Sequence, residues 1–147
     1  MQREPQAVAC LYGSALADGL EARAHPIHAV ESLNRMLETL SRAETVDPTY
    51  DQAGPSRVRA LVLARAPGWP LGPGDPDAAV AAARRAVGIR PEYPPNLLAL
   101  GESLDKAGDA RGARESYAQA RSAAQASGSA ERRDEWLRQA DQALQRR

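Results

Sequence analysis

Residues 97–120 read LLALGESLDKAGDARGARESYAQA, two amphipathic segments joined by a Gly-Asp turn. Apolar residues recur every three or four positions in both segments, which is the spacing of one helix face. On that face Gly101 and Ala113 are small enough to let two helix backbones approach each other, and Tyr117 can fill the space toward a neighbouring pair. The stretch therefore predicts two closely packed antiparallel helices.

A second copy of this pattern lies earlier in the chain. A fixed internal period of roughly 20 to 50 residues is typical of stacked structural repeats. The matching positions, each 34 residues apart, are Gly74 and Gly108, Asp75 and Asp109, Ala79 and Ala113, and Ala86 and Ala120.

A looser third copy precedes these two. Ala43 lies five residues before Pro48, just as Ala86 lies five residues before Pro91. The two prolines are 43 residues apart, nine more than the period of 34. We expect the extra residues to form an inserted loop around Trp69, where proline and glycine are too frequent for a helix.

These positions resemble the tetratricopeptide repeat. Helical hairpins of this kind bury their faces only by stacking, and the array then ends in an atypical capping helix. We therefore expect an all-α, tetratricopeptide-like helical-hairpin array forming one domain over residues 1–147, with three hairpins, a Pro/Gly/Trp loop insertion and a capping helix at about 130–145. The seven expected helices span residues 5–22, 26–46, 55–65, 76–90, 94–107, 110–126 and 130–145.

The composition agrees with close-packed helices. The chain has 30 Ala and no Phe, so its core must form from closely approaching backbones. Ala is the best helix former, whereas the aromatic and β-branched residues that favour strands are scarce. The formal net charge of zero argues against a basic nucleic-acid-binding protein.

A more specific resemblance lies in the middle of the chain, over about residues 29–125. The motifs are Gly54-Pro55-x-Arg57, Ala66-Pro67-Gly68-Trp69-Pro70, Gly74-Asp75 and Pro95-Asn96-Leu97-Leu98. They resemble the T-component family of tripartite ATP-independent periplasmic (TRAP) transporters. The resemblance implies an array of tetratricopeptide-like pairs, usually an exported lipoprotein, that assists a solute-binding protein and holds a small organic ligand in a cavity.

We expect a non-catalytic adaptor that recognises a protein or peptide on a concave helical surface. A rigid surface loses little entropy when it captures such a partner. One alternative is an accessory T-component that binds a small organic acid, and another is an oligomerisation unit that uses Trp136 and the Ala face of the last helix. The candidate binding residues are Trp69, Arg57, Arg59, Tyr93, Asn96, Glu102 and Asp105.

The sequence leaves two interpretations of Trp69 open. A Trp among prolines is either an anchor folded onto the core or a wall of a recognition surface. Asp75, with Pro76 after it, is expected to cap the next helix. Phosphate binding at this turn is disfavoured, because Pro73 and Pro76 each remove a backbone donor.

We expect no enzyme activity, no cofactor and no metal. His25 and His28 are three residues apart but have no third ligand nearby, and no nucleophile motif accompanies them. The single Cys10 excludes an internal disulfide framework.

The location is expected to be cytoplasmic for the chain as written, because no apolar run is long enough for a span or a signal. Ala7, Val8, Ala9 and Cys10 loosely resemble a lipoprotein cleavage box. A periplasmic location is the alternative, if an export signal has been trimmed.

Overall fold

The computed structural model describes residues 5–146, and this part of the chain is all-helical, as the sequence predicts. The only extended pairing in this range is an isolated bridge between Gly68 and Gly74. A short 3-10 turn, Pro26–His28, precedes the second helix. The helices are α1 (Pro5–Ala24), α2 (Ala29–Val46), α3 (Tyr50–Arg65), α4 (Pro76–Ile89), α5 (Pro94–Lys106), α6 (Ala110–Gln125) and α7 (Ala130–Gln145).

The expected helix boundaries are confirmed where a capping residue sets them. The side chain of Asp75 accepts a hydrogen bond of 3.0 Å from the Ala78 N–H, and Asp109 accepts one of 2.8 Å from the Gly112 N–H. Gly108 has a φ of +88°, the left-handed conformation expected of a glycine after a helix. These residues end one helix and begin the next.

The start of α3 differs from the expectation. It begins at Tyr50 rather than at residue 55, but residues 51–53 have positive φ values of 49°, 56° and 68° and form a left-handed turn. The right-handed helix that continues to Arg65 therefore agrees with the predicted 55–65 segment.

Successive helices form antiparallel hairpins. Three or four residues join neighbouring helices everywhere except between α3 and α4, where residues 66–75 form a longer loop at the place expected for the insertion. Short connections of this kind make neighbouring helices antiparallel. Each described helix packs against the next one along the chain.

Alternate helices consequently run in the same direction. Arg57 bonds to Asn96 and Arg65 bonds to Glu102, so α3 and α5 lie side by side and parallel. Helix α1 therefore contacts α3, α3 contacts α5 and α5 contacts α7, whereas α2, α4 and α6 make no contact with one another within residues 5–146.

Small residues build the core. Gly101 faces the ring of Tyr117, and a Cβ atom on it would lie 2.6 Å from Cε1 of that ring. The central cluster is otherwise mostly Ala and Leu, and its buried members are Ala60, Ala82, Ala83, Leu100, Leu104, Ala113 and Tyr117. The helices can therefore approach closely, as the Ala-rich sequence predicts. The last helix, α7, fully buries only Ala140 and exposes most of its charged residues.

Candidate functional site

The loop between α3 and α4, residues 66–75, is fixed by its own backbone. The Gly74 N–H donates to the Pro67 carbonyl at 2.8 Å, and the Leu71 N–H donates to the Gly68 carbonyl at 3.0 Å. The Asp75 N–H donates at 2.9 Å to the carbonyl of Leu63 in the last turn of α3. The loop is therefore closed on itself and attached to the helix before it.

Two glycines allow this closure. A Cβ atom on Gly72 would lie 2.6 Å from the carbonyl oxygen of Pro67, and one on Gly74 would overlap the Ala66 carbonyl. Contacts under 3.0 Å require the backbone to shift. A larger residue at either position would open the loop.

This closed loop presents apolar side chains to solvent. Trp69 is 90 % exposed and Leu71 is 74 % exposed. The interpretation of Trp69 as an anchor on the core is therefore wrong for this chain. Its placement fits the other interpretation, a wall of a recognition surface.

Other exposed apolar side chains lie toward the same end of the array. Because successive helices are antiparallel, the turn before α2 and the loop after α3 are at the same end. That turn presents Ile27, which is 93 % exposed, and the last turns of α1 directly before it present Leu20, which is 65 % exposed. We call the four residues Leu20, Ile27, Trp69 and Leu71 the apolar end.

A polar network occupies the opposite end of α3. The Arg57 guanidinium donates to the carbonyls of Asp51 and Gln52 at 3.1 and 3.2 Å, and to the Asp51 carboxylate at 2.8 Å. It also donates to Oδ1 of Asn96 at 3.1 Å. The Asn96 amide donates in turn to the Gln52 carbonyl at 3.0 Å. Both the Arg57 and the Asn96 side chains thus bond to the left-handed turn.

Two tyrosines border this network. The Tyr12 hydroxyl donates to Asp51 at 2.8 Å, and the Tyr12 pKa lies far above its usual range because of burial first and that carboxylate second. The Tyr93 ring centroid lies 5.3 Å from the Arg57 guanidinium carbon. Tyr93 also packs edge-on against Trp136.

The structure does not bring the predicted polar residues together at one site. Arg57 is only 8 % exposed and Asn96 is fully buried, so both act within the fold. Arg59 pairs with Glu44 at 3.7 Å, and Glu102 accepts two hydrogen bonds from Arg65. Asp105 lines an open cavity of about 580 Å³ together with Arg111, Arg114, Tyr117 and Arg146.

Tyr117 lies among apolar residues and near side chains of both charges. Its pKa is raised to about 12, first by burial and then by the charges of Glu102 and Asp105. Arg114 and Arg146 make no ion pair within the described part of the chain. This cavity could hold a small charged molecule, but it opens widely to solvent.

Sequence reasoning missed Asp51, Gln52, Tyr12 and Ile27. The Gly54-Pro55 pair indicates that regular helix begins at about residue 55. This agrees with the irregular backbone at residues 51–53. Nothing in the sequence indicates three successive left-handed residues at 51–53. The exposure of Ile27 could not be predicted either, because it depends on which face of the helix start is covered by neighbouring helices.

The residues from 5 to 146 contain no group of three or more His, Cys, Asp or Glu side chains placed to hold a metal ion. No described helix has the length and apolar character needed to cross a bilayer. Neither a scan against protein-family models nor a search of curated proteins finds a match to this chain.

Proposed function

We propose that this protein is a non-catalytic, tetratricopeptide-like adaptor that docks a partner protein on its apolar end, with Trp69 as the central contact. The observation that carries this proposal is the 90 % exposure of Trp69 on a loop closed by its own hydrogen bonds. Trp is enriched among the residues that contribute most to protein interfaces. A preformed loop adds little ordering cost when it binds.

The chemistry of the loop favours a protein partner over a small charged ligand. Residues 66–74 carry no charged side chain, so they offer apolar surface and backbone polar groups only. The resemblance to the T-component family suggests a solute-binding protein as this partner. We propose the cytoplasm as the location of this protein, with the periplasm as the alternative.

A second candidate function is capture of a small organic acid in the cavity beside Tyr117. The favouring observation is that two guanidinium groups, those of Arg114 and Arg146, line it without an ion pair in residues 5–146. The open shape supports it less well than a closed cavity would. Titration calorimetry with succinate, comparing the chain with Arg114→Gln, tests this candidate.

An oligomerisation unit that uses the Ala face of α7 is supported less well than the adaptor. Ala140 is fully buried, and Trp136 is half-buried against Tyr93 within one chain. The Ala face of α7 is therefore largely packed within the chain, whereas Trp136 keeps part of its side chain exposed.

The adaptor proposal is tested by photo-crosslinking in the native host. A benzophenone amino acid replaces Leu71 at the apolar end, and a control replaces the exposed Thr45 in the last turn of α2, at the opposite end. We expect one protein to be crosslinked from position 71 and not from position 45. That protein is then purified and titrated against the chain and against Trp69→Ala.

We expect Trp69→Ala to weaken the purified complex at least about tenfold, as for an interface hot spot. Thr45→Ala should leave the affinity unchanged. Absence of a crosslinked protein, or equal affinities for the chain and Trp69→Ala, would overturn the proposal.

A further inference from the structure

An uncovered groove lies at the end of the array opposite the Trp69 loop. Its volume is about 800 Å³, and it runs between the start of α5 and the helices α6 and α7. The rings of Tyr93 and Trp136 form one wall, with centroids 5.7 Å apart and an interplanar angle of 77°. We call it the aromatic groove, and its other lining residues include Pro91, Pro94, Leu97, Ala123 and Ser122.

The aromatic groove suits an apolar loop that presents a large side chain. Its walls are aromatic rings, prolines and aliphatic side chains, against which an exposed Trp or Leu side chain can pack. Glu92 is the one charged residue among its described lining residues. A segment bearing several charges would therefore find few partners there.

This chain carries a segment of that chemistry. The loop sequence APGWPLGPG, residues 66–74, has three prolines, no charge, and two large side chains exposed to solvent. The loop and the groove lie at opposite ends of the molecule, because Trp69 follows α3, Tyr93 precedes α5, and these two helices are parallel. One copy cannot place its loop in its own groove.

We infer that the aromatic groove of one copy receives the Trp69 loop of a second copy, so that copies associate head to tail. The inference rests on the proposed function, since it names a partner for the same loop. A contact between two different surfaces does not close after one step, and it generates rings or open filaments. The net charge of zero favours association, because copies do not repel each other strongly.

The contact is expected to be weak. One loop in one groove buries less than the roughly 1,200 Å² that stable protein interfaces need. We therefore expect association only at high protein concentration, from about 10 µM to about 1 mM.

Sedimentation equilibrium of the full chain over this range provides the test. Trp69→Ala removes the loop contact, and Ser122→Arg blocks the groove at an exposed position. The matched control is Gln125→Arg, an exposed residue of α6 that does not line the groove. We expect the mean mass of the chain and of Gln125→Arg to rise with concentration, while Trp69→Ala and Ser122→Arg stay monomeric.

Mixing the two monomeric variants tests the head-to-tail geometry. Trp69→Ala keeps an intact groove and Ser122→Arg keeps an intact loop, so their mixture should form a one-to-one dimer and nothing larger. A monomeric chain at every concentration, association unaffected by either variant, or no dimer in the mixture would each overturn the inference. If position 71 crosslinks a different protein that requires Trp69 while the chain stays monomeric, the proposed function stands and this inference fails.

Discussion

The guanidinium of Arg57 donates a 3.1 Å hydrogen bond to Oδ1 of Asn96, 39 residues later in the chain, and both side chains are buried. The same guanidinium bonds to two carbonyls of the left-handed turn before α3. One cation thus joins the starts of α3 and α5 to an irregular backbone. A buried charge with four acceptors is costly to remove, because each acceptor then loses one donor and the Asp51 carboxylate loses its cation.

Arg57→Ala should lower the free energy of unfolding by about 3 to 5 kcal/mol. The matched control is Arg111→Ala, which removes an exposed i,i+4 pair with Glu115 and should change stability by less than about 0.5 kcal/mol. Urea denaturation of both variants measures the difference. Similar costs for the two variants would mean that Arg57 does not hold the turn.

Gln52→Gly should be less harmful than Gln119→Gly by about 1 kcal/mol or more. Both substitutions add backbone freedom to the unfolded chain, but Gln52 has a φ of 56° and glycine relieves that strain. Gln119 is an exposed residue inside α6, where glycine only weakens the helix. Chemical denaturation gives both values, and equal losses would argue against the left-handed conformation.

Gly101→Ala should destabilise the protein by roughly 1 to 3 kcal/mol, and Gly101→Val by at least as much, because the Tyr117 ring occupies the space of the new methyl group. Gly13→Ala is the matched control, since Gly13 lies within α1 with no atom near its missing Cβ. That control should stabilise the protein by up to about 1 kcal/mol. Thermal melts with the same sign for both alanine variants would contradict the packing described.

Trp69→Ala should leave the melting temperature nearly unchanged, because an exposed side chain contributes less than about 0.5 kcal/mol. Trp136→Ala, which loses the edge-on contact with Tyr93, should cost about 2 kcal/mol. Calorimetric melts of these two variants compare the only two Trp residues of the chain. A large loss in Trp69→Ala would show that Trp69 anchors the core.

Alkaline pH should destabilise the protein partly through Tyr117. Its folded pKa is about 12, above the ordinary value of 10.0, so the folded state disfavours the ionised hydroxyl. The stability it contributes is complete below pH 10 and is lost as pH rises toward 12. Tyr117→Phe should therefore show a shallower loss of stability over this range, and parallel pH profiles for the two proteins would contradict the assignment.

The helices and their caps could be predicted because local residues determine them. Asp75 and Asp109 cap helices with their own side chains. Gly101 has no side chain, so α5 can approach the Tyr117 ring of α6 closely. The left-handed turn could not be predicted, because Arg57 and the distant Asn96 stabilise it. The exposure of Trp69 could not be predicted either, because it depends on backbone hydrogen bonds that close the loop. The residue types alone fit both a Trp anchored on the core and a Trp on a recognition surface.

The most direct test of the adaptor proposal is the affinity of the purified partner, identified by crosslinking from position 71, for the chain and for Trp69→Ala. We expect calorimetry to show at least about a tenfold loss in Trp69→Ala, with an unchanged melting temperature. Equal affinity for both proteins would contradict the claim that this protein acts by presenting Trp69 to a partner.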